Sequence, residues 1–311
     1  MKNALESLGK KWLLAISVFF GGLLLCEMVC RLAGYGTRAD VHEDIANWQR
    51  DGQGEFFVYK AGATINMDGL RDYPHQVDNP EGRRRIVCLG DSVTYGYGIH
   101  PQYAYPFQLQ MAFQQRNQNV EVFNVALPGW CIRQQLIAWQ RIASKYKPNM
   151  VTVGVCLNDF AEMQNNLAEP PAWLVGAFNH SYLVRAMVNP AANEIAQIEE
   201  FIDHPEAARI QSAYDLYFSE LAKLHRILTD AGVELRVFVF PFRFQYERAN
   251  THFGPQEEVA RRCAESNIKY IDVLPFFKAL GADAFIDHDH LNAEASVKFA
   301  HFLADQLEVP K

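Results

Sequence analysis

Two kinds of apolar pattern divide the chain. From Trp12 to Cys26 the residues are uncharged and mostly apolar (WLLAISVFFGGLLLC); Glu27 interrupts the run and Met28-Val29-Cys30 resumes it. The strict run is shorter than the roughly 20 residues a helix needs to cross a bilayer. Extended through Glu27 to Ala33 it reaches spanning length, with the carboxylate near an interface, where it costs less than at the centre. Lys2, Lys10 and Lys11 precede the run. That flank favours a cytoplasmic amino terminus over residues 1–11, a membrane anchor over 12–33 and an exported body. The alternatives are a cleaved signal peptide and a buried soluble helix. No convincing small-x-small cleavage site follows the apolar core, and Leu25 before Cys26 fits a lipoprotein signal poorly.

Beyond the anchor the pattern changes. Residues 34–51 are polar and aperiodic, as expected of a juxtamembrane spacer, and Phe56 to Tyr73 has strand-like content broken by Gly62 and Gly69. The two together, through residue 81, predict a spacer and a small extension packed against the main domain. From Arg85 onward short apolar runs alternate with helical stretches. Strands are expected over Arg85–Leu89, Val120–Val125, Met150–Cys156, Glu234–Phe240 and Lys269–Val273. Helices are expected over Ala104–Arg116, Arg133–Lys147, Ala208–Thr229, Gln256–Ser266 and Asn292–Leu307. The strands are apolar almost throughout rather than alternating, as when helices cover both faces of a parallel sheet. The expected fold is therefore α/β, a three-layer αβα sandwich on a mostly parallel five-stranded sheet, plus the amino-terminal transmembrane helix. One interval, Phe160 to Pro205, is too long for an ordinary connection. It contains Pro170-Pro171, the aromatics Trp173, Phe178 and Tyr182, and a candidate helix near His180–Met187. Leaving the sheet directly after Asn158-Asp159, it is placed either to roof a site there or to form a surface insertion.

Composition narrows the function classes. The 311 residues carry a formal net charge of -7, which argues against nucleic acid as a partner because phosphates reward clustered Lys and Arg. Six cysteines do not make a disulfide framework in a chain this long. Cys88 and Cys156 fall inside expected strands, as small buried hydrophobes do.

Candidate chemistry sits where the strands end, the usual place for ligands in open α/β sheets. Gly90-Asp91-Ser92 follows the first strand and Asn124-Val125-Ala126-Leu127-Pro128-Gly129 closes the second. Asn158-Asp159 follows the third, and Asp287-His288-Asp289-His290 precedes the last helix. Nucleophilic catalysis needs a hydroxyl beside an imidazole oriented by a carboxylate, and acyl transfer needs donors aimed at the oxyanion. The last block also resembles a metal cluster, but no third separated ligand motif supports one. Neither a metal nor a cofactor is expected.

These four blocks, in order, resemble the SGNH hydrolases, a subgroup of the GDSL esterase/lipase superfamily, from about Gly82 to the carboxyl end. The lead-in Ile65-Asn66-Met67-Asp68-Gly69-Leu70-Arg71 is similar to the corresponding segment of membrane-anchored bacterial members. The resemblance implies Ser92 as nucleophile, His290 as base and Asp287 as its orienting acid. It also implies an oxyanion hole from the Ser92 and Gly129 N–H groups and the Asn158 amide. Asp289 adjoins His290, but adjacency alone does not put it on the same ring nitrogen, and the motif assigns Asp287. Asp91 is expected to shape the turn. Val93-Thr94 after the serine and Cys156-Leu157 before Asn158 depart from many relatives without removing a polar group. The expectation is a serine-dependent acyl-ester hydrolase in the inner membrane with its domain outside the cytoplasm, acting on an acylated envelope lipid or polysaccharide. An O-acyltransferase using the same site, or a membrane-tethered assembly subunit with a membrane-protein partner, is the alternative. Of the aromatic run after the fourth strand, Phe238 and Phe240 are expected in the core; Phe244 and Tyr246 either join it or reach toward the site opening.

Overall fold

The computed structural model describes residues 2–34, 48–50, 57–59, 62, 64–160, 173, 176–177, 180–187, 190–248, 252–307 and 309. Helix α1 covers Lys2–Ala33, and its stretch Lys11–Ala33 is long and apolar enough to cross a membrane. A short antiparallel pair follows, β1 (Trp48–Arg50) with β2 (Phe57–Tyr59). The aromatic content around Phe57 anticipated β2, whereas β1 falls at the end of the stretch expected as spacer. Most of that spacer, residues 35–47, lies outside the described residues.

The main sheet is built from β3 (Arg84–Gly90), β4 (Val120–Ala126), β5 (Met150–Val155), β6 (Glu234–Val239) and β7 (Lys269–Tyr270). Their order is β4-β3-β5-β6-β7 and every pairing is parallel. Strands β4 and β5 are buried at every position and β3 at all but its first. Two-sided burial of this kind is what selects near-continuous apolar runs. Gly90 at the end of β3 pairs with Ala126 on one side and Gly154 on the other. The carboxyl ends of the three strands therefore lie level.

Helices α2 (Ser92–Tyr95), α3 (Tyr105–Gln115) and α4 (Ile132–Ala138) alternate with the first strands. Next come α5 (Tyr182–Met187), α6 (Pro190–Asp203) and α7 (Ala208–Asp230). The tail holds α8 (Phe244–Glu247), α9 (Gly254–Glu265), α10 (Leu274–Leu280) and α11 (Ala293–Gln306). Helix α3 packs with α11, and α4 with α7, giving the helical layers of the sandwich. Two expected boundaries move. The helix expected to run to Lys147 leaves the α-helical path after Ala138, passing through a wide turn at Trp139–Ala143 and a tight one at Ser144–Tyr146. Lys147 then adopts φ 49° and turns the chain into β5. The last strand stops at Tyr270 because Asp272 takes the N–H of Leu274 (3.0 Å) and starts α10, with Pro275 in its first turn.

The chain divides into two compact units, residues 1–40 with 167–193, and 41–166 with 194–311. The interval expected as one insertion is thus split. Its end belongs to the larger unit, where Phe201 stacks among Phe160 and Tyr214. Its middle, α5, lies on α1 within the smaller unit. Residues 161–172, including Pro170-Pro171, and Phe178 lie outside the described residues. All six cysteines are free.

The extension before β3 is tied to the sheet by a buried ionic chain. Arg85, 3% exposed, donates to Glu121 (2.8 Å) and to the carbonyls of Val77, Tyr146, Gln76 and Asp78. His75 bridges Glu121 (3.0 Å) and Asp72 (2.9 Å). Asp72 in turn accepts the N–H of Asn124 on the free edge of β4 (2.7 Å). Further along the same edge, Tyr73 donates to the carbonyl of Val122, while Gln110 accepts the Val122 N–H and donates to the Val120 carbonyl. Side chains thus occupy the hydrogen bonds that a sixth strand would take. Burial alone would pull the His75 imidazole down, but its two carboxylate partners outweigh it and raise its pKa.

His75→Ala leaves two buried carboxylates without their shared cation and is expected to cost about 3–5 kcal/mol. The folded pKa of His75 is raised, so this stabilisation is fully present below its unfolded value of about 6.5 and is lost as pH rises through the folded value. Unfolding midpoints of the two proteins in detergent should accordingly differ most at acidic pH and converge in alkaline buffer.

Candidate active site

The serine turn is held by exclusion of side chains. Asp91 caps α2 by accepting the Val93 N–H (3.0 Å), and Gly96 closes it in the left-handed conformation at φ 82°. The helix is a single turn folded back onto the strand ends. A Cβ on Gly90 would overlap Thr94 Oγ1 and lie 2.5 Å from Thr94 Cβ; one on Gly154 would lie 2.9 Å from Thr94 Oγ1. Thr94 Oγ1 is fixed from behind by the Tyr105 hydroxyl at 3.2 Å. Ser92 opens the helix, so its N–H has no intrahelical acceptor. Its hydroxyl lies 3.4 Å from Asp91 Oδ2.

The neighbouring strands supply their loops at the same level. After β4, Leu127–Trp130 forms a turn closed by Trp130 N–H to Leu127 O (3.1 Å), with Gly129 at φ 77°. Pro128 then Gly129 is the pairing a type II turn demands. Gly129 is exposed, and among the described residues nothing accepts its N–H. After β5, Asn158 is half-buried on a helical turn beside the fully buried Asp159. Three of the expected groups therefore stand on adjacent strand ends.

The fourth comes from a closed loop. An antiparallel bridge joins Phe285 and Leu291, and Ile286 N–H donates to His290 O (2.9 Å). Asp287 Oδ1 accepts the N–H groups of Asp289 (3.2 Å) and His290 (2.9 Å), curling the backbone. Its other oxygen lies 2.8 Å from His290 Nδ1. Asn292 then caps α11 through the Ala295 N–H (2.8 Å). The same curl changes the expectation for Asp289. Its Oδ1 lies 3.0 Å from the same Nδ1, so both carboxylates face one ring nitrogen. The shorter contact is with Asp287, and the buried Asp289 adds a second charge beside the ring.

This loop packs on the loop that follows Ser92. The Tyr97 and His290 rings lie 4.5 Å apart, and a Cβ on Gly98 would overlap Ile286. His290 Nε2 is buried and has no hydrogen-bond partner among the described residues; its bond to the Ser92 hydroxyl is not formed here. Catalytic hydrogen bonds are often long in ligand-free sites and tighten around substrate. Burial pulls the His290 imidazole down, but the Asp289 charge and the Asp287 hydrogen bond outweigh it and lift the pKa to about 9. Burial would raise the Asp287 carboxyl, yet the hydrogen bond and charge of His290 hold it well below the usual range. Asp287, Asp289 and His290 also bring three potential metal-ligand atoms within 4.8 Å of one another. Of the two ring nitrogens of His290, Nδ1 already engages Asp287.

The sequence set Asp289 aside in favour of Asp287 and did not single out Tyr97. Asp289 gave a signal, its acidity two residues from Asp287, but only the turn decides where it points. Tyr97 gave none, because it sits in a glycine-bounded loop with no periodicity. The aromatics after β6 resolve toward the core: Phe244 packs on Phe242, and Tyr246 on Phe253 and Phe285.

The sequence profile of the GDSL-like Lipase/Acylhydrolase family matches residues 88–297. The chain is similar to the acetylxylan esterase Axe2 from Geobacillus stearothermophilus, at 14% identity and TM-score 0.47, over 73% of this chain and 95% of that one. It is also similar to LAE5, an alpha/beta hydrolase enzyme from the metagenome of Lake Arreo, Spain, at 16% identity and TM-score 0.48, over 73% and 97%. No curated protein sequence matches it.

Gly90→Ala is expected to destabilise the domain by about 3 kcal/mol, the upper end of overpacking costs, because the atom met is a fixed Thr94 rather than a flexible chain end. Thermal unfolding of the variant checks this; an unchanged midpoint would show that the turn relaxes freely.

Proposed function

The chain belongs to the GDSL-like Lipase/Acylhydrolase family, and we propose that it is a serine esterase held at the inner membrane with its catalytic domain outside the cytoplasm. Its substrate is an acyl or acetyl ester on an envelope lipid or polysaccharide. The observation that carries the reading is the state of His290. Nδ1 engages Asp287, while Nε2 is buried, without a hydrogen-bond partner among the described residues, and beside the loop that follows Ser92. An imidazole with Nδ1 on a carboxylate keeps Nε2 as its basic nitrogen, the one a serine base uses.

In the proposed sequence His290 Nε2 takes the Ser92 proton as the oxygen attacks the ester carbonyl. The resulting imidazolium is stabilised by Asp287 through its hydrogen bond and by Asp289 through its charge. The N–H groups of Ser92 and Gly129 and the Asn158 amide receive the oxyanion. His290 then returns the proton to the departing alcohol, leaving an acyl-serine. Water, activated by the same imidazole, releases the acid. A sugar hydroxyl in place of water makes the same site an O-acyltransferase.

Labelling with a serine-reactive fluorophosphonate tests the nucleophile: wild type should be modified, and Ser92→Ala should not. Equal labelling of both would reject Ser92. An ester panel with and without sugar acceptors separates hydrolysis from transfer. Asn158→Ala should lower kcat by about 10²–10³ with little change in KM, as for other oxyanion donors.

The base must be neutral to act, so kcat/KM of the free enzyme should rise with pH until about 9, where His290 loses its proton. Asp289→Asn removes the largest influence raising that pKa, so the rising limb should move toward neutral pH. A limb that stays in place would mean that Asp289 does not act on the ring.

A further inference from the structure

From Lys11 to Ala33, helix α1 is exposed on nearly all sides, but one face is partly covered. Leu24 is 71% exposed and Leu32 83%, whereas Leu23 is 40% and Cys30 9%. Leu23, Glu27 and Cys30 follow the i, i+4, i+7 spacing of a single helix face. What covers this face is the middle of the 160–205 interval, and it is attached by polar atoms. Glu27 accepts from the Ser181 hydroxyl (2.7 Å), the Tyr182 N–H (3.0 Å) and the Leu183 N–H (2.8 Å). Arg31, one turn along, donates to the same carboxylate (2.8 Å) and to the His180 carbonyl (3.1 Å), with its guanidinium 4.8 Å from the Tyr182 ring centre. The one acidic residue of the apolar stretch thus has four donors, three of them from the segment at 181–183.

We propose that α1 is retained in the mature protein and that Glu27 pins the segment Ser181–Met187 to it at the boundary between lipid headgroups and acyl chains. The insertion is then a second, non-spanning contact with the bilayer. This rests on reading α1 as a membrane anchor. The depth follows from helix geometry. Glu27 lies six residues before Ala33, about 9 Å along the axis at 1.5 Å per residue. Interfacial helices bury their apolar face to about 5–10 Å, so backbone that reaches Glu27 enters that zone. The described residues of the same stretch have interfacial chemistry. Trp173 is 72% and Met187 76% exposed, and Tyr182 sits between the guanidinium groups of Arg31 and Arg185. Aromatic rings and long cationic side chains concentrate at that level of a membrane. A cleaved signal peptide would have no use for a carboxylate saturated by a distant part of the folded chain, so the contact favours retention.

The test uses the full chain reconstituted into phosphatidylcholine vesicles, with or without bromines near the top of the acyl chains. The emission of Trp173 is the difference between wild type and Trp173→Phe. Bromination should quench it about twofold, as expected for an indole at interfacial depth. Glu27→Leu keeps the span apolar and releases the segment, so the quenching should disappear. Ser181→Ala removes one donor of three and should lie between, a milder check should Glu27→Leu misfold. Intact mass should show residues 1–33 present in membranes washed with carbonate. Ser92→Ala should behave as wild type, keeping this result separate from the esterase reading. Protein released by carbonate, or a mass lacking α1, would overturn the proposal through its anchor. Membrane-resident protein whose Trp173 is unquenched, or quenched equally in Glu27→Leu, would overturn the role of Glu27.

Discussion

The close approach of the Ser92 turn to the ends of β3 and β5 is the constraint from which the rest of the site follows. Thr94 lies so near that neither residue 90 nor residue 154 has room for a side chain. Parallel pairing sets Gly90, Ala126 and Gly154 at one level, so the loops after three adjacent strands emerge together. The turn does not choose its own position. It is pressed between those strand ends and a packed aromatic layer in which Tyr105 meets Phe238, Phe240 and Phe299. Close packing makes such a site rigid, and rigidity is what lets a few donors act together.

Electrostatics adds a second constraint with a cost attached. Two carboxylates on one side of His290 hold its tautomer and stabilise its protonated form. The same charges raise its pKa, so less of the neutral base is present at pH 7. The balance between burial and charge is decided by distance. Carboxylate oxygens 2.8 and 3.0 Å from Nδ1 outweigh the desolvation of a nearly enclosed ring. Asp287 is partly open to solvent and Asp289 is enclosed, so a similar charge is screened differently on the two.

The open edge of β4 shows how the extension earlier in the chain supports the sheet. Asp72, Tyr73 and Gln110 satisfy backbone groups that would otherwise face solvent or a foreign strand. The His75–Glu121–Arg85 chain then locks that segment to the first two core strands. What reads as a spacer with strand-like patches is therefore, from residue 65 onward, part of the domain.

Local chemistry wrote much of this into the chain. Two-sided burial made β3, β4 and β5 visible as apolar runs, and the ends of all five expected strands came within a few residues of the observed ones. Gly-Asp-Ser, Pro-Gly, Asn-Asp and Asp-x-x-His each carry a turn or a cap, so the candidate groups were also legible. Strand order was not, because apolar runs carry no record of which neighbour they pair with. Helix α10 was missed because Leu274-Pro275-Phe276-Phe277 is equally good buried coil until Asp272 takes the Leu274 N–H. Asp289 and Tyr97 reach His290 through the curl of one loop and the packing of another, and Glu27 meets residues more than 150 positions away. Short-range pattern records propensity and turn chemistry. Contacts between remote segments depend on the sum of packing across the folded chain, and arise only when it closes.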